Sequence, residues 1–266
     1  MWLVSVLGIC TAYRRRKRRE GPLVRVLCFH DVSETKWFEE TIGVLLRNYS
    51  VLSPDSFHRQ KYDSERINIL LTFDDGYQSW IDFVLPLLKK YELKGLFFCD
   101  SGLLDIAADV QSAELFINEH LLNRPQKALS WEGARTLVAQ GHTVGGHTVS
   151  HPNLALLSNA EVKREIESDK QSLESNLGAN IIDFAYPFGG PPHYTEKTKE
   201  CAIDAGYSHI FSAVPGFSSS DNGNIPRAII EQGYSVELTK RFIEGGYDLF
   251  SICRSCIAEK PTYKKR

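Results

Sequence analysis

The sequence predicts an α/β fold in which strands and helices alternate and the sheet closes into a barrel. Short apolar runs alternate with amphipathic segments of helical spacing along most of the chain, an order typical of parallel sheets. The number of these units favours closure into a barrel. Polar residues suited to chemistry directly follow several of the predicted strands, and barrel active sites gather at that end of the strands.

The predicted strands are short apolar runs. The third is apolar almost throughout, which is typical of a strand buried on both faces. In chain order the predicted strands are 24–29, 49–52, 68–73, 95–99, 142–146, 181–186, 209–213 and 227–230.

The predicted helices combine apolar residues at helical spacing with recognisable end signals. Ser130 is a good N-cap for a helix that Gly141 closes, and Gly178 ends the longest helix. Pro86 is expected to bend the second helix, which ends in a lysine pair suited to a helix C-terminus. The predicted helices are 37–47, 80–91, 131–140, 159–177 and 195–205, and a variable insertion over 103–127 carries another.

Length and composition indicate a globular α/β domain. The 266 residues carry a net charge of -2, and 42% of them are hydrophobic and 24% charged. This composition is ordinary for a globular protein, and the charge gives no general attraction to nucleic acid. We therefore predict an N-terminal arm (1–23), one domain (24–245) and a C-terminal tail (246–266).

The N-terminal arm joins an apolar segment, residues 1–13, to the basic run 14–19. The apolar segment is too short to span a bilayer comfortably, and the basic residues follow it, whereas in a secretory signal they precede it. Peripheral contact with an anionic membrane, the remnant of a longer anchor and a solvated tail all remain open. We expect a cytoplasmic protein or one at the cytoplasmic face of a membrane.

The six cysteines are scattered along the chain. Cys28 and Cys99 lie in predicted strands and are expected to be buried thiols. Cys253 and Cys256 form one CxxC pair. A structural zinc site would need a second pair, and a redox motif would need a βαβ context. We interpret the pair as structural or incidental.

Two adjacent carboxylates, Asp74 and Asp75, follow the third predicted strand and precede Gly76. On an extended backbone neighbouring side chains face opposite sides, but at the end of a parallel strand the chain turns and both can reach one crevice. An acidic turn or a helix N-terminus would contain the same residues. The rest of the chain favours a functional site.

His147 and His151 lie four residues apart just after the fifth predicted strand. On a turn of helix this spacing places both imidazoles on one side. Two histidines and one carboxylate, with positions left for water and substrate, form a catalytic metal site rather than a closed structural one. Asp75 can supply the carboxylate, and a pair of surface or capping histidines is the alternative.

These features resemble the polysaccharide deacetylase family, also called the NodB-homology or carbohydrate esterase family 4 group. The resemblance spans roughly 24–230 and includes Thr72-Phe-Asp-Asp-Gly76, His147-Thr-Val-Ser-His151 and Ala185-Tyr-Pro-Phe-Gly189 in the family's order. It implies a single-domain, distorted (β/α) barrel of about seven strands, fewer than the usual eight. It also implies that Asp74 is the base and that Asp75, His147 and His151 bind a divalent metal, with Zn favoured and Co, Ni, Fe or Mn compatible.

The chemistry implied by the family is hydrolysis of an acetyl group on carbohydrate. Water activated by the cation attacks the carbonyl while Asp74 accepts its proton. The family places an oxyanion-binding backbone N–H in the third motif, here at Phe188, and Pro187 fixes the turn that orients it. Tyr186 is either a wall of the pocket or part of the core.

Two departures from the family pattern concern groups around the base. Ala185 replaces the arginine that usually opens the third motif, and we expect Arg227 to supply the guanidinium to Asp74 instead. The Leu-x-His motif that carries the general acid is not visible. We therefore assign that role to His30, at the end of the first predicted strand, with His193 as second choice. The remaining histidines are assigned no role in the site: His58, His120, His142 and His209.

The sequence thus predicts a metal-dependent hydrolase that removes N-acetyl, or another short acyl group, from amino sugars in a polysaccharide or lipid-linked glycan. The alternative is a catalytically silent carbohydrate-binding domain that kept the fold but lost its acid and its orienting arginine. The retained base and metal ligands favour the enzyme, because a binding domain needs neither.

Overall fold

The structure, a computed structural model, describes residues 12–121, 123, 126–218 and 223–248. Its strands are β1 (Val24–Phe29), β2 (Ser50–Leu52), β3 (Asn68–Phe73), β4 (Leu96–Cys99), β5 (Thr143–Gly146), β6 (Asp183–Ala185), β7 (His209–Phe211) and β8 (Arg227–Ile229). Seven of them form a parallel sheet in the order β7-β6-β5-β4-β3-β1-β8, and β2 pairs with the start of β3. A parallel bridge between Phe211 and Ile225 joins the two ends of the sheet. The predicted single-domain barrel of about seven strands is therefore confirmed.

Helices fill the connections between the strands. They are α1 (12–20), α2 (Thr35–Asn48), α3 (Pro54–His58), α4 (Leu85–Lys90), α5 (Ser101–Ile106), α6 (Val110–His120), α7 (Trp131–Ala139), α8 (Asn159–Leu177), α9 (Glu196–Asp204) and α10 (Val236–Ile243). Within the described ranges, none of them combines the length and the apolar character that a membrane crossing requires.

Most predicted helix ends have the expected physical basis. The Ser130 side chain accepts a hydrogen bond from the Gly133 N–H at the start of α7, and α8 ends at Gly178 in the left-handed conformation. Pro86 lies at the start of α4, directly after a π-helical turn over Trp80–Val84. The missing N–H of proline interrupts the regular ladder at this point.

Three features differ from the helix predictions. The insertion over 103–127 contains parts of two helices, α5 and α6, instead of one. The short α3 and the helix α10 were not predicted, although Ser53 and Ser235 cap them as typical N-cap residues. Residues 12–20 of the N-terminal arm are helical.

The barrel interior follows from the alternation of side chains along each strand. Leu70, Phe98 and Phe211 belong to a small buried cluster inside the ring, whereas residues such as Leu71 pack outward in the larger core. Continuing the alternation from Leu70 along β3 directs Asp74 inward at the C-terminal end of the strand. The alternation of side chains along β3 therefore places the Asp74 carboxylate at the C-terminal opening of the barrel.

The described parts of the two chain ends pack on the barrel. Arg25, fully buried in β1, donates to both carboxylate oxygens of Asp248 at 3.0 and 2.8 Å. In α1, the Tyr13 ring lies 6.0 Å from that of Phe217, and Arg14 pairs with Glu244. The apolar start of the arm and the CxxC pair lie outside the described residues.

Candidate active site

The two adjacent carboxylates reach the same space because the backbone turns sharply between them and the next residue. The Asp74 N–H still donates to the Phe29 carbonyl at 2.9 Å, so the ladder of β3 extends this far. Asp75 then adopts a φ of 89° and Gly76 a φ of 119°, values that side-chain-bearing residues rarely tolerate. Both carboxylates are buried, with 3% and 5% of Asp74 and Asp75 exposed.

The two histidines follow β5 on an irregular loop, so the expected helical turn between them is wrong. Thr148 and His151 have φ values of 79° and 51°, and the Thr148 hydroxyl accepts a hydrogen bond from the His151 N–H at 3.1 Å. This tight loop still brings both imidazoles together, with ring centroids 5.0 Å apart. The four-residue spacing predicted that the two imidazoles lie close together, but an irregular loop, and not a helical turn, brings them there.

Two carboxylates of α8 hold this loop, and sequence reasoning missed both. Asp169 accepts backbone hydrogen bonds from Ser101, His147 and Thr148 at 3.0 to 3.2 Å. Glu165 accepts the N–H groups of the next two residues of the loop at 3.0 and 2.9 Å. Asp169 lies on the buried face of α8, and a charged residue among apolar ones at helical spacing was the signal that could have identified it.

Asp75, His147 and His151 form a set of ligands suited to a divalent metal. The Asp75 Oδ1 lies 3.5 Å from the His147 Nε2 and 3.6 Å from the His151 Nε2. The Nδ1 atoms of His147 and His151 lie 2.7 and 3.1 Å from the carbonyls of Ala185 and His120. Those hydrogen bonds leave both Nε2 atoms free to coordinate, as is usual for metal-binding histidines. The donor set therefore fits a metal such as zinc.

Electrostatics favour ionised Asp75 and neutral His151. Burial lowers the pKa of His151 to about 4, so this imidazole is neutral near pH 7. Burial alone would raise the pKa of Asp75, but hydrogen bonding to His147 and the nearby imidazoles hold it well below the usual value. The pKa of His147 is raised because its attraction to Asp75 and Asp74 outweighs its burial. A cation would compete with that proton.

Arg227 meets Asp74 as expected from the sequence. Its Nη1 and Nη2 donate to the two carboxylate oxygens of Asp74 at 2.6 and 2.7 Å, and its Nε donates to the Ser212 carbonyl at 3.0 Å. Only 1% of Arg227 is exposed. Although burial opposes ionisation, the guanidinium holds the pKa of Asp74 below its usual range. Asp74 is therefore an oriented carboxylate.

A small cavity of about 100 Å³ opens beside these groups. It is lined by Cys28, His30, Asp74, Asp75, Leu121, His147, His151, Tyr186, Phe188, Ala213, Arg227 and Ile229. The Tyr186 ring is buried against Tyr194, with centroids 4.1 Å apart, so this residue serves both as cavity wall and as core. Phe188 adopts a φ of 59°, and its ring centroid lies 4.7 Å from that of His151.

The turn of the third motif leaves one backbone donor unused. The Gly189 N–H donates to the Pro187 carbonyl at 2.6 Å, which closes the turn around Phe188. Within the described part of the chain, the Phe188 N–H donates to no protein group. This amide is therefore available to a ligand, and its role as the oxyanion donor stays a prediction.

The two candidate acids occupy different positions. His30 lines the cavity, and its carbonyl accepts a hydrogen bond from the Trp80 indole at 3.0 Å. His193 lies behind Phe188, with ring centroids 5.1 Å apart, and is not among the lining residues. The structure therefore brings His30, and not His193, to Asp74 and the candidate metal ligands.

These features define a (β/α)-barrel protein whose candidate active site combines a set of possible metal ligands with an oriented carboxylate. The sequence profile described as Polysaccharide deacetylase matches residues 61–210. The chain belongs to the polysaccharide deacetylase family.

Solved structures share this fold, and curated proteins match part of the sequence. Streptococcus pyogenes deacetylase PplD, solved in complex with acetate, superposes with a TM-score of 0.68 at 22% identity, covering 83% of this chain and 98% of that one. IcaB from Ammonifex degensii gives 0.68 at 21% identity over 85% and 98% of the respective chains. A peptidoglycan-N-acetylglucosamine deacetylase of Bacillus cereus is 26% identical over 143 residues, covering 54% of this chain and 44% of the relative. The chain spans less than half the length of several curated relatives that it matches.

Proposed function

We propose that the protein is a metal-dependent hydrolase that removes N-acetyl groups from amino sugars in a polysaccharide or lipid-linked glycan. Family membership supports the reaction class, and a relative from Sinorhizobium fredii is named a chitooligosaccharide deacetylase. The proposal rests mainly on one observation. Arg227 donates two hydrogen bonds to Asp74, directly beside the possible metal ligands Asp75, His147 and His151.

The metal would be held by Asp75, His147 and His151, and zinc suits two imidazoles and one carboxylate best. Co, Ni, Fe or Mn remain compatible with the same donors. A divalent cation in this position supplies Lewis-acid polarisation of a water molecule and of the acyl carbonyl.

Each side chain has a defined task in such a hydrolysis. Asp74 accepts the proton of the attacking water as the new C–O bond forms, while Arg227 keeps the carboxylate in one orientation. The Phe188 N–H stabilises the oxyanion. His30 donates a proton to the sugar nitrogen as the C–N bond breaks, which yields acetate and a free amine.

The cavity favours a small acyl group. Its volume is about 100 Å³, a size that suits a short group such as acetyl or formyl. Leu121 and Phe188 supply apolar surface on the lining.

Two arguments favoured a catalytically silent carbohydrate-binding domain, namely the loss of the orienting arginine and the loss of the acid. The first argument no longer holds. The position of Ala185 is indeed apolar, but Arg227 contacts the base from another strand. A domain that only binds glycan has no need for a buried guanidinium held against a carboxylate.

The test is release of acetate from a panel of N-acetylated glycans. The chelator-treated protein should be inactive, addition of Zn²⁺ should restore turnover, and Asp74→Asn should remain inactive after addition of the metal. Absence of acetate release from every glycan of the panel with each of the five metals would contradict the proposal.

A further inference from the structure

A second group of potential metal ligands lies at the opposite end of the barrel from the candidate active site. Asp183 and His209 are the first residues of β6 and β7 and face each other in the register of these strands. His58 is the last residue of α3. Its Nε2 lies 2.9 Å from the Asp183 Oδ1, and the His209 Nδ1 lies 3.1 Å from the same oxygen.

The hydrogen bonding of this group is incomplete. Asp183 is fully buried, yet its Oδ2 has no partner among the described residues. The His209 Nδ1 is also buried without a well-formed hydrogen bond, although it lies 3.1 Å from that carboxylate. A buried carboxylate with a vacant oxygen is costly unless another group completes it.

The surroundings give a ligand access to the group. A cavity of about 480 Å³ is lined by both histidines and by polar residues that include Lys199 and Ser208. The side chains of His58 and His209 are 19% and 26% exposed, whereas Asp183 is at 0%. A cation could therefore enter from the cavity and keep water in its remaining positions.

We propose that His58, Asp183 and His209 bind a second divalent transition-metal ion, of the Zn²⁺ class, which fastens α3 to the bottom of the barrel. Two imidazoles and a carboxylate are ligands that zinc accepts. The three ligand atoms lie within 4.8 Å of one another, as do those of Asp75 and its two histidines. The cation would neutralise the Asp183 carboxylate and link three separate segments of the chain.

The alternative is a hydrogen-bonded cluster without metal. The two imidazoles are stacked, with centroids 4.5 Å apart and planes 10° apart. A cation prefers to lie in the plane of each ring that it binds, so binding requires His58 and His209 to tilt out of the stack. The second group shares no residue with the candidate active site. Asp183 lies two residues, about 7 Å along the strand, from Ala185, so this proposal does not depend on the proposed function.

The ion count tests the proposal on the full-length protein. The chain is stripped with chelator, loaded with excess Zn²⁺ alone, desalted and analysed for bound metal. We expect His58→Gln to bind one ion fewer per chain than the natural protein and to retain its deacetylase activity. His120→Gln, which removes a histidine outside both groups, is the matched control and should lose no ion. An equal count in the natural protein and in His58→Gln would overturn the proposal.

Thermal unfolding provides a second readout that separates the two sites. In His151→Gln, which disables the first ligand set, Zn²⁺ should still raise the melting temperature, because binding to the folded state stabilises it. Introducing His58→Gln into the His151→Gln variant should abolish this rise. If that double variant folds poorly, Asp183→Asn replaces His58→Gln in the same test. Persistence of the full zinc-dependent rise in the double variant, or its absence in His151→Gln, would show that no second site exists.

Discussion

Arg227 donates to both carboxylate oxygens of Asp74, at 2.6 and 2.7 Å, across 153 positions of sequence. A third bond, from its Nε to the Ser212 carbonyl at 3.0 Å, fixes the plane of the guanidinium. The alanine at 185 contributes only its carbonyl, which accepts the Nδ1–H of His147. Arg227, in strand β8, therefore supplies the guanidinium group that orients the proposed base.

Replacing this arginine by lysine should impair turnover without releasing metal. Arg227→Lys keeps the positive charge but cannot form two parallel bonds to a carboxylate. Because a misplacement of about 1 Å can cost about 10²-fold in rate, we expect kcat to fall by about that factor, with KM and bound zinc little changed. Steady-state kinetics and metal analysis on the same sample check this. Unchanged kcat, or loss of zinc, would show that Arg227 does not act through Asp74.

The two adjacent carboxylates should be separable by mutation. Asp74→Asn removes the proposed base, and we expect zinc binding to persist while turnover falls by about 10² to 10⁴-fold. Asp75→Asn removes a ligand, so its main effect should be weaker zinc affinity. Metal titration of the two chelator-treated variants distinguishes them. Equal loss of zinc in both would mean that the roles are assigned wrongly.

The sequence predicted the groups that follow strands, and the family resemblance led to the contact between Arg227 and Asp74, but the carboxylates that hold the histidine loop were missed. Asp74 and His147 could be placed at one barrel mouth because the carboxyl ends of parallel strands meet there. The contacts of Asp169 with the histidine loop join segments 21 and 22 positions apart, and no local pattern predicts such pairing. The Arg25–Asp248 pair, 223 positions apart, was missed for the same reason.

The contacts of Asp169 lead to a prediction about metal affinity. Its Oδ1 accepts from Ser101 and its Oδ2 from His147 and Thr148. Asp169→Asn replaces one acceptor by an amide group that only donates. Either the Ser101 N–H or the N–H groups of His147 and Thr148 then lose their acceptor, which weakens the link between α8 and the histidine loop. We expect zinc affinity to fall by about 10 to 100-fold, as for other groups that orient metal ligands. Isothermal titration checks this, with Asp204→Asn, at the exposed end of α9, as control. Equal affinity in both variants would contradict it.

His142 should make the stability of the fold sensitive to pH. Burial, with a smaller contribution from Lys94, lowers the pKa of His142 to about 4, and its Nδ1 accepts the Gly95 N–H at 3.1 Å. The pKa of a histidine in the unfolded chain is about 6.5. Between this pH and the pKa of the folded protein, the unfolded chain therefore binds more protons at this residue than the folded protein does. The free energy of unfolding should therefore be highest above pH 6.5 and fall as the pH drops towards 4.

His142→Asn separates this contribution from those of other groups. The asparagine Oδ1 can accept the same hydrogen bond but does not titrate, so the variant should lose less stability across the window. Urea unfolding of both proteins at several pH values between about 6.5 and 4 measures the difference. Parallel curves would rule out His142 as the titrating group.

The identity of the general acid can be tested through the leaving group. A sugar amine leaves only if it is protonated, whereas the phenolate of 4-nitrophenyl acetate leaves without a proton. If His30 is the acid, His30→Gln should lose about 10²-fold or more in kcat on an N-acetylglucosamine oligomer and little on the aryl ester. Asp74→Asn should lose activity on both substrates, because each needs an activated water. His193→Gln is the matched control and should affect neither, since His193 lies behind Phe188 and does not line the cavity. A loss in His30→Gln that is equal for both substrates would make His30 a structural residue, and a selective loss in His193→Gln would transfer the role to that histidine.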